Sequence, residues 1–407
     1  MKLRQCAAVP VLVCLVQANA GAQSVSLSLE ESLALAREQA PQVLIARARI
    51  EEARGRLAGA RVRFRENPTF DVGTGPRTTE VGTLTDLDIG FVQSFETGGQ
   101  RAARIAGAEA GITRETAVAA DATRVVLRAV ALAHLRTLYA QDRIELLRGA
   151  EGVAADVVAV ADRRYEAGDI AILDVNIAKI ARGRAHAARL AAEGERTMFA
   201  GELQRLLGLA PGSHVVAAGL LRLQRRPELA SLLAAVANRP DLRAIEADIR
   251  DAEADVRLGR AATRPDVGVG ARLKREEGHR AVIGALTITL PVFSQGQELR
   301  ATGSARASRL RLELDTARAA IESGVRSLYA AYAAREGALA AFEQEALPSV
   351  DQNEALARRS FEVGQINLPE LLLIRREIVD TRLEYLNRLL EVAEGAIEQD
   401  AAAGVLQ

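Results

Sequence analysis

Aromatic residues are scarce in this chain of 407 residues, with eight Phe, five Tyr and no Trp, together 3% of the total. Aromatic side chains supply much of the buried area of a compact core. A string of ordinary globular domains is therefore disfavoured, although the length would allow two or three. Cysteine is limited to Cys6 and Cys14, and the four histidines, His134, His186, His214 and His279, are far apart. That excludes a disulfide framework and a dense thiol or histidine metal site. His134 and His186 lie in helical stretches and read as helix-surface residues. Neither sign of charge is in excess, with 53 Lys and Arg against 53 Asp and Glu, so a strongly basic nucleic-acid binder is excluded. No G-x-S-x-G, Walker or H-E-x-x-H pattern occurs. No enzyme chemistry, resident metal or cofactor is expected. Proline is also rare, at 11 residues, while 49% of the chain is apolar, mostly Ala, Leu and Val. This composition suits long helices packed closely through small side chains.

The first residues read as a leader rather than as fold. A positive start, Lys2 and Arg4, precedes an apolar run from Ala7 to Val16, then two A-x-A patterns at Ala18-Asn19-Ala20 and Ala20-Gly21-Ala22. This is the form of a secretory signal peptide, expected to span 1–22. The run is shorter than the about 20 apolar residues of a spanning helix. Val13 before Cys14 argues against lipidation, where a small residue is expected. Both cysteines leave with the leader, and no later stretch is long and apolar enough to be a transmembrane helix.

The remaining chain is written twice. Asn67-Pro68 and Arg264-Pro265 each open an alternating segment, 197 residues apart, and Gly99-Gln100 recurs as Gly296-Gln297 at the same offset. Arg164-Tyr165-Glu166-Ala167-Gly168 recurs as Ser360-Phe361-Glu362-Val363-Gly364 at an offset of 196. Repeats at a fixed spacing indicate duplicated structural units. The first repeat is assigned to 23–207, with a helix over 29–64, strands over 68–75 and 84–95, and a helical hairpin over 100–207 whose tip is at 168. A turn-rich linker covers 208–228. The second repeat, 229–407, has a helix over 229–263, strands over 266–275 and 280–292, and a hairpin over 297–400 with its tip at 364. Pro348 is expected to kink the second long helix. Gly168 and Gly364 suit turns that need a positive φ.

Four segments alternate strictly. Leu87, Ile89 and Phe91 interleave with Asp86, Asp88 and Gly90, and Val267, Val269, Ala271 and Leu273 interleave with Asp266, Gly268, Gly270 and Arg272. Phe70, Val72 and Thr74 do the same in one further segment, and Val282, Leu286, Ile288 and Leu290 in the other. Period two marks strands lying between two media. Two readings remain open on this pattern: a small water-soluble sheet capping a helical bundle, or strands in a bilayer. In lipid every backbone group must be paired, so the sheet must close. The smallest bacterial barrels have about eight strands, so four would have to be shared among copies of the chain.

Order and duplication together resemble the outer-membrane efflux protein (TolC) family over nearly the whole mature chain, about Leu27 to Ala401. The matching features are the two hairpin ends from Arg163 to Gly168 and from Arg359 to Gly364, the break at Leu206 to Gly212, and Leu290-Pro291-Val292-Phe293 before the second long helix. The resemblance implies a mostly α fold with a small β part. In it, duplicated helical hairpins form a trimeric periplasmic α-barrel, and four strands per chain enter a shared 12-stranded outer-membrane β-barrel. It implies a passive exit duct in outer-membrane lipid, working as a homotrimer with a periplasmic adaptor protein and an inner-membrane resistance-nodulation-division (RND) pump. Phe95 to Arg104 further resembles a Glu-Leu-Gly-Gly-Lys-Arg stretch of the heavy-metal (cobalt-zinc-cadmium) branch, with Thr97 for Leu and Gln100 for Lys. That branch implies divalent metal cations as the exported solutes. A drug or organic-solvent duct, a type I secretion component, or, in another class, an exported coiled-coil scaffold are the competing readings.

The resemblance also assigns residues. Asp174 and Glu370, six residues beyond the turn glycines, would line a periplasmic gate, whose second acid is replaced here by Leu373. Tyr165 and Phe361 would take part in closure or pack the hairpins. The tips at Gly168 and Gly364 would meet the adaptor. Asp86, Asp88, Asp266 and Arg272 would face the barrel lumen, and Leu87, Ile89 and Phe91 the lipid.

Overall fold

The structure, a computed structural model, describes residues 24–80, 82–221, 227–276 and 279–406. The expected leader and both cysteines lie outside the described residues. The element order is β1 (Ser24–Leu27), α1 (Leu29–Gln39), α2 (Pro41–Ala60), β2 (Thr69–Thr79), β3 (Gly82–Phe95), α3 (Gln100–Glu166) and α4 (Ile172–Leu207). There follow β4 (His214–Ala217), α5 (Leu229–Val236), α6 (Pro240–Ala261), β5 (Asp266–Glu276), β6 (His279–Thr289), α7 (Gln297–Ala341), α8 (Leu347–Glu362) and α9 (Leu368–Ala403), with a π-helical segment (Phe342–Ala346) between α7 and α8. The chain is thus mostly helical with a small sheet, as its pattern predicts.

The 67-residue α3 is uninterrupted and about 100 Å long. It contacts α2, α4, α6 and α9, and its buried face is rich in Ala, which lets neighbouring helices approach closely. Each long helix begins at a glycine in the left-handed region, Gly99 at φ 87° and Gly296 at φ 65°.

Proline placement corrects several expected boundaries. The helix expected over 29–64 is two helices. Ala40 is extended (φ −57°, ψ 128°) ahead of Pro41, which starts α2 as its first residue, and α2 ends at Ala60. A residue before proline is disfavoured in the α region, and proline is tolerated only in the first helical turn. The same arrangement at Arg239-Pro240 splits the helix expected over 229–263 into α5 and α6. The second hairpin runs to Ala403, and a π-helical turn interrupts the second long helix just before Pro348, where a kink was expected. The strands extend to 69–79, 82–95 and 266–276, because the supposed connecting stretch after Gly75 continues the ladder through Pro76 and Arg77. The last strand stops at Thr289, not 292, ahead of Pro291, which lacks a ladder donor.

Two further corrections lie at the middle of α3. The supposed linker contains β4, which pairs in parallel with β1, Val25 opposite Val215 and Leu27 opposite Ala217. Gln141 on α3 clamps this pair, donating to the Ala217 carbonyl (2.9 Å) and accepting from its amide (3.1 Å). His134 is not on the surface. It is fully buried, with Nδ1 3.1 Å from Ser32 Oγ on α1.

The larger sheet has strand order β2-β3-β5-β6, antiparallel throughout. The helices packed beneath it repeat that order, α2 on α3, α3 on α6, and α6 on α7. Sheet and helical layer are therefore both open, with β2 and α2 at one edge and β6 and α7 at the other.

Candidate functional site: the sheet faces, the joint and the helical tips

Register sorts the sheet residues into two faces. The cross-strand row Val72–Ile89–Leu273–Val282 is apolar, as are Phe70 opposite Phe91 and Val269 opposite Leu286. This face is uncovered, and Val282 is 78% and Leu286 69% exposed. Leu87, Ile89 and Phe91 all belong to it. The opposite face is charged. Arg272 donates to Asp88 and to Asp71, both at 3.2 Å. Arg77 donates to Asp86 (2.7 Å) and pairs with Glu276, which also meets Lys274 at 3.2 Å. Asp86, Asp88 and Arg272 thus sit on one charged face, in two neighbouring ion-pair groups. Asp71, Arg77, Lys274 and Glu276 complete these groups and were not singled out from the sequence, although Asp71 and Lys274 fall in phase with the alternation. Arg77 was missed because the first strand was expected to end at 75, whereas the ladder runs on to Thr79.

The joint between sheet and helices is built from the stretch Phe95 to Arg104. Arg104 makes a bidentate pair with Glu96 (2.5 and 2.8 Å), both largely shielded from solvent. Thr97 Oγ1 donates to the Pro265 carbonyl (2.5 Å), and Gln100 donates to Asp266 (3.0 Å). Gly98 lies so close to the Ala261 carbonyl that a Cβ there would stand 2.3 Å from the oxygen. Each polar residue of the stretch therefore has a structural role. Asp266 is the one sequence-selected sheet residue held against a helix rather than in the sheet network. Below the joint, Asp248, Asp251 and Asp255 on α6 share Arg306 of α7, with Arg114 of α3 also reaching Asp248. Burial pushes the Asp255 carboxyl up, and Asp251 beside it adds to the effect.

The two hairpin tips come together at the far end. Each turn has the same bonding, with Asp169 N donating to Arg164 O and Gln365 N to Ser360 O, both at 2.8 Å, around Gly168 (φ 80°) and Gly364 (φ 79°). This is the Schellman pattern, which needs a left-handed residue. Val158, Ala161, Val175, Ala178, Ala357, Leu368 and Leu371 form one core joining both tips, and the Arg164 guanidinium stacks 4.8 Å over the Phe361 ring. Phe361 packs in that core, whereas Tyr165 is 45% exposed. Asp174 and Glu370 occupy equivalent places as third residues of α4 and α9. Asp174 accepts from the Ala171 amide (3.3 Å), and Glu370 forms a full capping box with Asn367 (3.0 and 2.9 Å). Lys179, near Asp174 in sequence, pairs instead with Asp162 at 3.2 Å. Among the described residues no cluster of His, Cys, Asp or Glu could hold a metal ion.

Comparison with known proteins follows this geometry. The outer membrane efflux protein family profile matches residues 33–209 and 232–405, one match per repeat. The chain is similar to the cobalt-zinc-cadmium resistance protein CzcC of Cupriavidus metallidurans, 28% identical over 384 residues covering 93% of this chain and 90% of the relative. It is also similar to the nickel-cobalt-cadmium resistance protein NccC of Alcaligenes xylosoxydans xylosoxydans, 27% identical over 74% of this chain and 70% of the relative. Its fold matches that of CusC, with a TM-score of 0.77 at 16% identity over 92% of each chain. The CusC structures are described in terms of transmembrane channel formation.

Proposed function

Because the chain belongs to the outer membrane efflux protein family, we propose that three copies close edge to edge into a conduit from the periplasm through the outer membrane, passing divalent metal cations. The observation that carries this reading is the pair of open layers. A sheet with one exposed apolar face, one charged face and two unpaired edges cannot sit in lipid alone, since its edge amides and carbonyls would be unsatisfied. Pairing β6 of one copy with β2 of the next satisfies them, gives twelve strands in all, and brings α7 of the first beside α2 of the second. Leu87, Ile89 and Phe91 then face lipid. Asp86, Asp88 and Arg272 line the lumen, with Asp266 at its lower rim. The helices extend into the periplasm, and the tips at Gly168 and Gly364 are the surface for a periplasmic adaptor that links the conduit to an RND-type pump.

The names of CzcC and NccC support metal cations as the solute. At the tips, Asp174 and Glu370 together supply six carboxylates per trimer, a negative ring that concentrates cations. Tyr165, exposed near the tip, is free to narrow the opening, while Phe361 packs the hairpins together. The test is a mature chain purified in detergent and inserted in planar bilayers. It is expected to run as a trimer and conduct with a preference for cations, and Asp174→Asn with Glu370→Gln is expected to weaken that preference. Deletion in the host should sensitise it to cobalt, zinc or cadmium. A detergent-free soluble monomer would overturn the reading.

A further inference from the structure

One surface at the joint has no part in conduction. Arg257 and Arg260 on α6 and Arg264 just after it line a shallow cavity of about 320 Å³ against Gly98, Gly99 and Ala102. All three arginines are exposed. Among the described residues none of them is paired with a carboxylate. By contrast, Asp248, Asp251, Glu253 and Asp255, upstream on the same helix, are each held by an arginine of α3 or α7.

Their direction follows from helical geometry. At about 100° per residue Arg257 and Arg260 lie roughly half a turn round α6 from Asp248, Asp251 and Asp255, and Arg264, just past the end of α6, lines the same cavity as they do. The side bearing those aspartates continues into the charged face of the sheet, because Asp266 bonds Gln100 on the α3 face that also carries Arg104 and Gly107. The arginines therefore look out on the other side, that of the apolar sheet face, at the end of α6 that leads into β5. At the foot of that face Phe95, opposite Val267 of β5, packs edge to face with Phe64 at 5.4 Å, the two 38% and 42% exposed. These two apolar rings extend the exposed apolar surface down towards the arginines. A helix C-terminus favours basic residues in general, but that gives no reason for three on one side without partners.

We propose that Arg257, Arg260 and Arg264 bind the phosphates of anionic phospholipid headgroups in the leaflet facing the helices, so that a ring of such lipids collars the joint. Guanidinium groups match phosphate oxygens in geometry as well as charge. The bare backbone at Gly98 and Gly99 leaves room for a headgroup. The inference rests on the sheet lying in the membrane.

The test uses the full mature chain in detergent, with phosphatidylglycerol in mixed micelles as probe and bound lipid counted by native mass spectrometry. Arg257→Gln, Arg260→Gln and Arg264→Gln combined should weaken phosphatidylglycerol binding by about a hundredfold at low salt, about fivefold per arginine. The corresponding triple lysine variant should retain most of the binding. A charge-matched control, Arg182→Gln, Arg184→Gln and Arg196→Gln on α4, should leave it unchanged, and added salt should weaken the wild type. Equal binding by the glutamine triple variant and the wild type overturns the inference. So does full displacement of the lipid by inorganic phosphate at matched concentration, which would make this a free-anion site. A chain that needs no detergent would instead refute the membrane reading beneath it.

Discussion

His134 and Glu96 show how single side chains serve this fold. Burial pushes the His134 imidazole below its free value of 6.5, and the Ala218 backbone offsets this only in part. The ring is then neutral in the folded chain at a pH where the unfolded chain already binds a proton. The stability this contributes is complete above about pH 6.5 and is lost as pH falls from there through the lower folded-state value. Thermal unfolding followed from pH 7.5 to pH 5 should show a steeper decline for the wild type than for His134→Gln, and equal slopes would refute the assignment. Glu96→Ala leaves Arg104 largely shielded and unpaired. It is expected to cost about 2 kcal/mol, less than the about 3–5 for a fully buried pair because both groups keep some solvent. A denaturant midpoint shift reads this out.

The elements are set by glycine and proline more than by propensity. Gly98 and Gly99 are adjacent and fail differently when substituted. Gly98→Ala would drive a Cβ to 2.3 Å from the Ala261 carbonyl, forcing α3 and α6 apart at the joint. It should cost about 2 kcal/mol or more. Gly99→Ala has open space but sits at φ 87°, so only backbone strain of about 1–2 kcal/mol is expected. Trimer yield and unfolding temperature should therefore rank wild type, Gly99→Ala, then Gly98→Ala. The tip acids act in the same local way. Asp174 and Glu370 satisfy amides at the starts of α4 and α9, so alanine at either should loosen the hairpin by about 0.5–2 kcal/mol. The isosteric amides used in the conductance test keep an acceptor oxygen there.

For the proposed conduit, sidedness is the property most open to attack. Ile89→Arg places a charge on the apolar face, and if it lies at mid-bilayer this should impair membrane assembly by about 2–4 kcal/mol per copy, whereas Asp88→Asn on the charged face should be mild. Heat-modifiable trimer bands on gels would compare the two, and equal effects would sink the facing assignment. In the proposed trimer the two open layers share one closure. A variant that blocks strand pairing at the β2 or β6 edge should therefore also lose the α2–α7 contact between copies, rather than leaving a helical trimer behind.

Much of this was legible in the residues alone, because periodicity and punctuation are local. Period two with Asp and Arg opposite Ile and Phe determined four strands and their two faces. The fixed offset between Gly168 and Gly364 determined paired hairpins, and their left-handed φ follows from the chemistry of glycine. Other features needed the folded chain. The β1–β4 pair joins segments nearly two hundred residues apart through backbone bonds that no local pattern records. His134 looks like any histidine on a long helix until α1 packs over it. Arg77 joins the charged face only because the ladder runs past Pro76. Asp174 and Glu370 became capping groups only when the turn geometry placed their carboxylates against their own amides. The sequence determined which residues alternate and where the chain turns, since those depend on near neighbours; burial, ion pairing and the open edges depend on which distant elements meet, and only the tertiary structure decided them.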